Sequence, residues 1–315
     1  MKYLFVMDPV GSINHETDST LLMMRESDRR GHELFYCTVE DLFVDRTFPH
    51  ASIRRVTFNE GDPVFCLGER EAQPLSSVDA LFMRKDPPFD MNYVFATYLL
   101  ELASRDTFII NHPCGIRSAN EKLYALNFPD AIPESLISKD LGQLKQFLLD
   151  VGGEMIIKPL AKCGGEGVFY IKEGDKNLHA LIETSTSFGM EFIMAQRYLP
   201  EIKDGDKRII LINGEPVGAV SRVPQDNEHR GNIHVGGSSW KCDITERDLE
   251  LCRIIAPRLR DDGLYFVGLD VIGDWITEIN VTSPTCIVEI NRLNGVQLEN
   301  LLINFVEEQV GLKNN

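Results

Sequence analysis

Over the first 120 residues, apolar runs rich in β-branched and aromatic residues alternate with segments of helical period. Lys2 to Met7 is a short apolar run closed by Asp8-Pro9 and a polar turn, which predicts a buried strand. Asp18 to Arg30 carries a helical pattern that Gly31 ends, and Glu33 to Val39 reads as the next strand. Strand, helix and strand in that order predict a βαβ unit. Ala80 to Met83 and Phe108 to Ile110 read as further strands on either side of a helix over Asn92 to Ala103. The opening segment is therefore predicted to be an open α/β domain.

Beyond Pro113 the pattern changes. Asn120 to Asn127 predicts a short helix and Asp140 to Asp150 an amphipathic one, after which Met155 to Lys158, Gly167 to Lys172 and Phe192 to Arg197 are β-like, with a helical crossover over Leu178 to Thr184. Arg208 to Ile212 and Pro216 to Val220 flank Asn213-Gly214, the strongest short-range hairpin signal in the chain, because Asn-Gly suits a type I′ turn. Gly268 to Cys286, reading GLDVIGDWITEINVTSPTC, gives two short strands around Gly273-Asp274.

That last hairpin carries candidate chemistry. Glu278 and Asn280 share one face of the second strand, with Thr277, Ile279 and Val281 on the other. Asp270 joins them only in some registers: a three-residue turn of Gly273, Asp274 and Trp275 sets it opposite Glu278, whereas a two-residue turn pairs it with Thr277 and faces it away. Three oxygen donors on one face suit Mg²⁺, which keeps waters and is completed by substrate phosphates. The ordinary alternative is a polar, half-exposed hairpin. Asn280-Val281-Thr282 also matches a glycosylation acceptor, a match set aside because nothing else in the chain looks secreted.

Composition narrows the classes. A chain of 315 residues predicts two or three domains. A net charge of -16, from 48 acidic and 32 basic residues, argues against general attraction to nucleic acid or to an anionic membrane, so an anionic ligand must be held by local basic groups. The N-terminal apolar run is too short for a signal peptide or a membrane span, and the protein is expected to be cytoplasmic. Seven cysteines, odd in number and with no C-x-x-C pair, form neither a zinc pattern nor a disulfide framework.

Phosphate-handling features come next. Lys158 ends an apolar strand, and Ala161 to Val168, reading AKCGGEGV, follows with three glycines. Glycines let backbone N–H groups approach a phosphate, and a strand lysine sets a point charge on it. The segment is neither a P-loop nor a Rossmann fingerprint, and a plain tight turn would look the same. Asp204 to Arg208, reading DGDKR, has the composition of a solvated loop, and Arg222 to Ser239, with Arg230, His234 and Gly236-Gly237, is long, polar and hinged in the manner of a lid. Arg84-Lys85-Asp86-Pro87-Pro88 follows a strand end, where α/β sheets place ligand contacts.

Taken in order, these pieces resemble the ATP-grasp ligases, and within them the bacterial glutathione synthetases, over essentially the whole chain. The resemblance rests on MDP at 7 to 9, MRKDPPFD at 83 to 90, NEKL at 120 to 123, IKPL at 157 to 160, YLPEIKDGDKR at 198 to 208, RGN at 230 to 232 and VGLDVIGDWITEINVTSPT at 267 to 285. It implies an N-terminal α/β domain over 1–120 and an ATP-grasp fold of two subdomains, 121–200 and 201–315, clamping ATP. By matching motif, Lys122 and Lys158 hold the phosphates, Gly164, Gly165 and Gly167 cover them, and Gln196, Arg197, Tyr198 and Leu199 present backbone to adenine, with Asp206 also at the nucleotide. Asp270, Glu278 and Asn280 hold Mg²⁺, or Mn²⁺. Arg84, Asn232, Thr282, Ser283 and Thr285 look like substrate contacts, and Arg208 and Arg230 supply catalytic positive charge.

The implied reaction answers a chemical difficulty, since a carboxylate is a poor electrophile for an amine at neutral pH. ATP phosphorylates the C-terminal carboxylate of γ-glutamylcysteine, and glycine attacks the acyl phosphate to give glutathione, ADP and phosphate. No nucleophilic side chain is required. The resemblance also implies a homo-oligomer, a tetramer. There are two departures from the pattern: Ala161-Lys162 stands where many relatives have Asp-Gly, and Val288 where close relatives are expected to have arginine. The Val288 departure motivates a competing reading as an ATP-grasp amino-acid ligase with another donor or acceptor. A nucleotide-binding module without turnover is a third reading, which the retained lysines and metal ligands oppose.

Overall fold

The computed structural model describes residues 1–59, 64–224 and 238–313. Its first sheet holds β1 (Lys2–Met7), β2 (Glu33–Cys37), β3 (Leu42–Asp45), β4 (Phe48–Phe58), β5 (Phe65–Pro74), β6 (Ala80–Arg84) and β7 (Phe108–Ile110), with α1 (Ser19–Arg29), α2 (Met91–Glu101) and α3 (Pro113–Ser118) around it. The strands read from the sequence form the parallel part, in the order β2-β1-β6-β7. Strands buried on both faces read as continuous apolar runs, which is why these were visible. Residues 42–74 were not. They add β3, β4 and β5 antiparallel beyond β2, and their mixture of arginine, glutamate and apolar residues suits a largely exposed edge.

A second sheet, in the order β10-β9-β11-β8, comprises β8 (Ser135–Ser138), β9 (Glu154–Pro159), β10 (Phe169–Lys172) and β11 (Ile193–Arg197), packed against α4 (Leu141–Asp150) and α5 (Leu178–Ser185). The third, β14-β13-β12-β15-β16, comprises β12 (Asp206–Ile212), β13 (Glu215–Val223), β14 (Ser238–Lys241), β15 (Phe266–Ile272) and β16 (Trp275–Asn280), with α6 (Glu246–Asp261), α7 (Ile287–Asn294) and α8 (Leu298–Lys313). Asn213 and Gly214 both take positive φ, 51° and 77°, as the type I′ turn requires. The short helix expected over Asn120 to Asn127 is instead a turn followed by a 3-10 segment at Tyr124–Asn127. Asn120 Oδ1 accepts from the amides of Lys122 and Leu123, at 3.2 and 3.1 Å, and so competes with helical pairing.

Alternation along the strands divides the core. Leu4 and Val6 of β1 join Ile209 and Leu211 of β12 in one cluster, while Tyr3, Phe5 and Met7 join Ile210 and Ile212 in another. Both cores therefore run through the first and third sheets together. The second sheet has its own, built from Leu144, Leu148, Ile157, Ile182 and Ile193 among others. Asn111 fastens the joint between the first and third sheets. Its buried amide donates to the carbonyls of Phe266 and Val281 at 2.7 and 2.8 Å and accepts from Phe266 N at 2.7 Å. Asn111→Ala strands these backbone groups in a dry interior, and a loss of about 3 kcal/mol is expected, read as a lower midpoint in urea denaturation.

Candidate active site

A cleft of about 820 Å³, open to solvent, lies between the second and third sheets. From the second sheet, Lys158 of β9 and Gln196 of β11 point into it, with the Lys158 ammonium 2.8 Å from Gln196 Oε1. Gln196 is itself fixed by Ser135 Oγ at 3.0 Å. Burial pushes the Lys158 pKa down, Lys122 adds to this and Glu278 opposes it. A half-buried lysine in that condition gains from a dianionic neighbour.

The glycine loop forms one rim. Gly164, Gly165 and Gly167 have φ of 65°, 81° and 72°, and a Cβ on Gly167 would sit 2.8 Å from Pro159 Cγ, so glycine is required there on two counts. Lys122 ties the rim to the floor: its ammonium donates to the Lys162 carbonyl at 2.7 Å and pairs with Glu278 at 3.0 Å. Burial opposes the Lys122 charge, but Glu278 and Glu121 outweigh it and raise its pKa. Leu199, Ile156, Ile202 and Ile272 give the cleft an apolar end suited to a flat base. In the Gln196 to Leu199 segment, the Arg197 and Tyr198 amides already donate to the carbonyls of Glu134 and Glu154. The Arg197 guanidinium pairs with Glu134 at 2.6 Å and lies over the Trp275 ring.

The third sheet supplies the acidic floor. Asp270 does stand opposite Glu278, but not through a three-residue turn. Ile272 pairs with Trp275 across a two-residue Gly273-Asp274 turn, and a bulge between Asp270 and Val271 leaves Thr277 as the extra residue that restores the register. The same bulge corrects a second expectation, because Thr277 lines the cleft instead of facing away from it. Asn280 donates to Asp270 Oδ2 at 3.2 Å, so the three oxygen-bearing side chains converge.

Beneath them lies a buried chain of charges set by strand register. Asp206 pairs across with Arg222, and Arg208 with Asp270. Arg208 grips Asp270 through Nε at 2.5 Å and Nη2 at 2.9 Å, while Arg222 Nη2 reaches Asp206 at 2.5 Å and Asp270 at 3.0 Å. Burial works against the Asp270 charge, yet the two guanidiniums hold its carboxyl well below the usual range. For Asp206 burial wins, aided by Asp270 and opposed by Arg222, and its pKa rises to about 6. The segment DGDKR is thus no solvated loop beyond Asp206. Arg222, read as the start of a lid, belongs to β13 and pairs with Ser239 of β14. Arg230, Asn232 and the rest of that loop through residue 237 lie outside the described residues.

The donor set fits a hard divalent cation: two carboxylates and a carboxamide on one face, and Asp206 Oδ1 buried beside them with no hydrogen-bond partner among the described residues. Lys122 and the two guanidiniums neutralise these carboxylates here.

Arg84 sits apart from the floor, at the end of β6. It is buried, donating to Thr20 Oγ1 at 3.0 Å and to the Pro284 carbonyl at 2.9 Å, with Nη1 unpartnered among the described residues. The turn holding Thr282, Ser283 and Thr285 is therefore brought onto Arg84, as Ser283 Oγ to Arg84 O at 3.4 Å also shows. Asp8 of the first strand's MDP pairs with Lys85 at 2.7 Å, so the 7–9 and 83–90 motifs meet. Sequence reasoning missed Glu121. Its Oε1 accepts from Thr282 Oγ1 at 2.8 Å, Thr282 N at 3.2 Å and Val281 N at 3.1 Å. Burial and the Glu278 charge push its pKa up. Its place in NEKL beside Lys122 was the one available signal. Val288 is half-buried near the start of α7.

Comparison with known proteins gives a consistent answer. The family model for the N-terminal domain of prokaryotic glutathione synthetase matches residues 1–117, and that for its ATP-grasp domain matches 121–295. The glutathione synthetase of Gloeobacter violaceus is 44% identical over 315 residues, covering 98% of this chain and 97% of that protein. Those of Synechococcus elongatus and Escherichia coli O127:H6 are 45% and 42% identical, each covering 98% of this chain and 99% of the relative. Among solved structures, D-cycloserine synthetase DcsG matches with a TM-score of 0.69 at 13% identity, over 96% of this chain and 99% of that one. D-alanyl-alanine synthetase A from Vibrio cholerae matches with 0.63 at 13%, over 98% of each. At such identities these two likenesses are of fold.

Arg222 offers a direct test of the charge chain. Arg222→Met leaves Asp206 and Asp270 sharing one guanidinium in a dry site, and a loss of about 3–5 kcal/mol in unfolding free energy is expected from chemical denaturation.

Proposed function

Because the chain belongs to the prokaryotic glutathione synthetase family and catalyses the ATP-dependent ligation that produces glutathione, we propose that the cleft residues divide that reaction among themselves. ATP lies with its base against Ile156, Leu199, Ile202 and Ile272, and its phosphates reach toward Lys122, Lys158 and the Gly164 to Gly167 rim. With the Arg197 and Tyr198 amides committed to the sheet, other backbone groups between Gln196 and Leu199 meet the adenine edge. Asp206 and the Asp270, Glu278 and Asn280 face surround the end where the phosphates lie.

Asp270, Glu278 and Asn280 hold the divalent ion, Mg²⁺ or Mn²⁺. When bound there, the ion offsets phosphate charge and makes the γ-phosphorus more electrophilic. The γ-glutamylcysteine carboxylate is received by the Thr282 to Thr285 turn, with Arg84 beneath it and Arg230 and Asn232 contributing from the loop. Its oxygen attacks the γ-phosphorus and ADP leaves. The amine of glycine then attacks the acyl carbon, and phosphate departs. Lys122 and Lys158 stabilise charge through the first step, and Arg208, anchored on Asp270 by Nε and Nη2, offers Nη1 to the developing oxyanion. No step needs a covalent bond to the protein.

The observation that carries this assignment is the facing of Asp270 and Glu278 across the bulged hairpin, with Lys122 bridging Glu278 to the glycine rim. Domains are proposed at 1–120, 121–200 and 201–315, each carrying one sheet, with the first and third packed through common cores. The protein is proposed to act in the cytoplasm as a homotetramer, and among the described residues no helix is long and apolar enough to cross a membrane.

Two measurements test the reading. Purified protein given Mg-ATP, γ-glutamylcysteine and glycine should release ADP and form glutathione, identified by mass, only in the complete mixture. ADP without glutathione would sink the substrate assignment. Glu278→Ala should lower kcat at least 100-fold while its circular dichroism spectrum stays unchanged. Near-normal turnover by the folded variant would remove Glu278 from the metal site.

A further inference from the structure

The two lysines that face the phosphates are both engaged by the protein, Lys122 by Glu278 and the Lys162 carbonyl, Lys158 by Gln196. A third lysine, Lys162, lines the same cleft from the glycine rim, with its side chain half exposed. Its ammonium pairs with Glu166, four residues on, which also lines the cleft and is more exposed still. Among the described residues neither side chain has another ion pair.

The rim brings the two together. Gly164, Gly165 and Gly167, all at positive φ, turn the chain back on itself, with Glu166 N donating to the Cys163 carbonyl at 3.2 Å and Val168 N to that of Gly165 at 3.3 Å. The Lys162 stem lies along this turn, its Cδ 3.7 Å from where a Cβ on Gly167 would stand. Its backbone is fixed independently, because the Lys162 carbonyl accepts from the Lys122 ammonium at 2.7 Å. The side chain can therefore change partner while the rim stays in place.

We propose that Lys162 is a third phosphate-binding cation, held by Glu166 in the free protein and transferred to the triphosphate when ATP enters the cleft. The inference rests on the reading of the cleft as the ATP site. An exposed ion pair contributes little, since water screens it and two flexible side chains must be held in one geometry. A triphosphate offers the same ammonium several negative oxygens in a more enclosed place, and the four-carbon stem of lysine lets the charge follow them. Glu166 then stands unpaired beside an anion, so it opposes the ligand that Lys162 favours. The departure from the family pattern acquires a direction on this account: Ala161-Lys162 in place of Asp-Gly removes a carboxylate from the rim and adds an ammonium, and Glu166 moderates the gain.

Substitutions of the two partners should act with opposite sign, which a pair that merely shapes the loop would not do. The measurement is the Kd of the Mg²⁺ complex of the non-hydrolysable analogue AMPPNP, by calorimetric titration of the full chain. Lys162→Gln should raise it about 5–20-fold, and Lys162→Arg, which keeps the charge, should stay within threefold of the wild type. Glu166→Gln should lower it at least twofold. In steady-state assays KM for γ-glutamylcysteine and for glycine should remain within twofold in all three variants. Glutathione formation by the wild type in those assays reports separately on the ligase reading. A change under twofold in Lys162→Gln, all that a screened charge at a distance would give, would overturn the proposal. So would weaker binding in Glu166→Gln, the mark of a pair that only holds the rim in shape, or an equal loss in Lys162→Arg and Lys162→Gln.

Discussion

Asp270 must carry a negative charge where there is almost no water, and the rest of the site is arranged around that requirement. Two buried guanidiniums satisfy it, Arg208 from β12 and Arg222 from β13, and each arrives by strand register. A buried carboxylate with that much compensation stays ionised and stays put. Its position then decides which residues on β16 can face it. Glu278 does, Lys122 follows Glu278, and the glycine rim follows Lys122 through the Lys162 carbonyl. The order of dependence runs from the floor of the third sheet outward to the loop of the second.

The cleft falls at the boundary between two kinds of packing. The first and third sheets share continuous cores, whereas the second has a core of its own. The floor belongs to the shared body, and Lys158, Gln196 and the glycine rim belong to the separate unit. Lys158 faces the cleft from the separate unit and pairs with no carboxylate among the described residues, so an anion bound between the two bodies would tie them together.

What the sequence revealed follows from what a local pattern can encode. Strands buried on both faces, the Asn213-Gly214 turn and the capped helices announce themselves in a few consecutive residues, and they appear where expected. The Asp270 to Glu278 pairing was legible as one of two registers, but the bulge at Thr277 was not, since a two-residue turn by itself gives the wrong one. Arg222 looked like loop because its partners lie on neighbouring strands, and Glu121 went unseen because its partners lie 160 residues away. The N-terminal edge strands failed for another reason, their exposed faces being too charged to alternate cleanly. Ordered motifs across the whole chain supplied what periodicity could not.

The shared cores also set a schedule for synthesis. Tyr3, Phe5 and Met7 emerge first, yet the side chains that cover them include Phe266, Ile287, Leu302 and Val306, among the last to leave the ribosome. Until then the first sheet has one face without its cover, a condition in which exposed strands and apolar surface invite aggregation. The unit between β8 and β11, by contrast, draws its core from its own residues. The N-terminal sheet, first to be made, therefore gains the last of its core partners only once α8 has been synthesised.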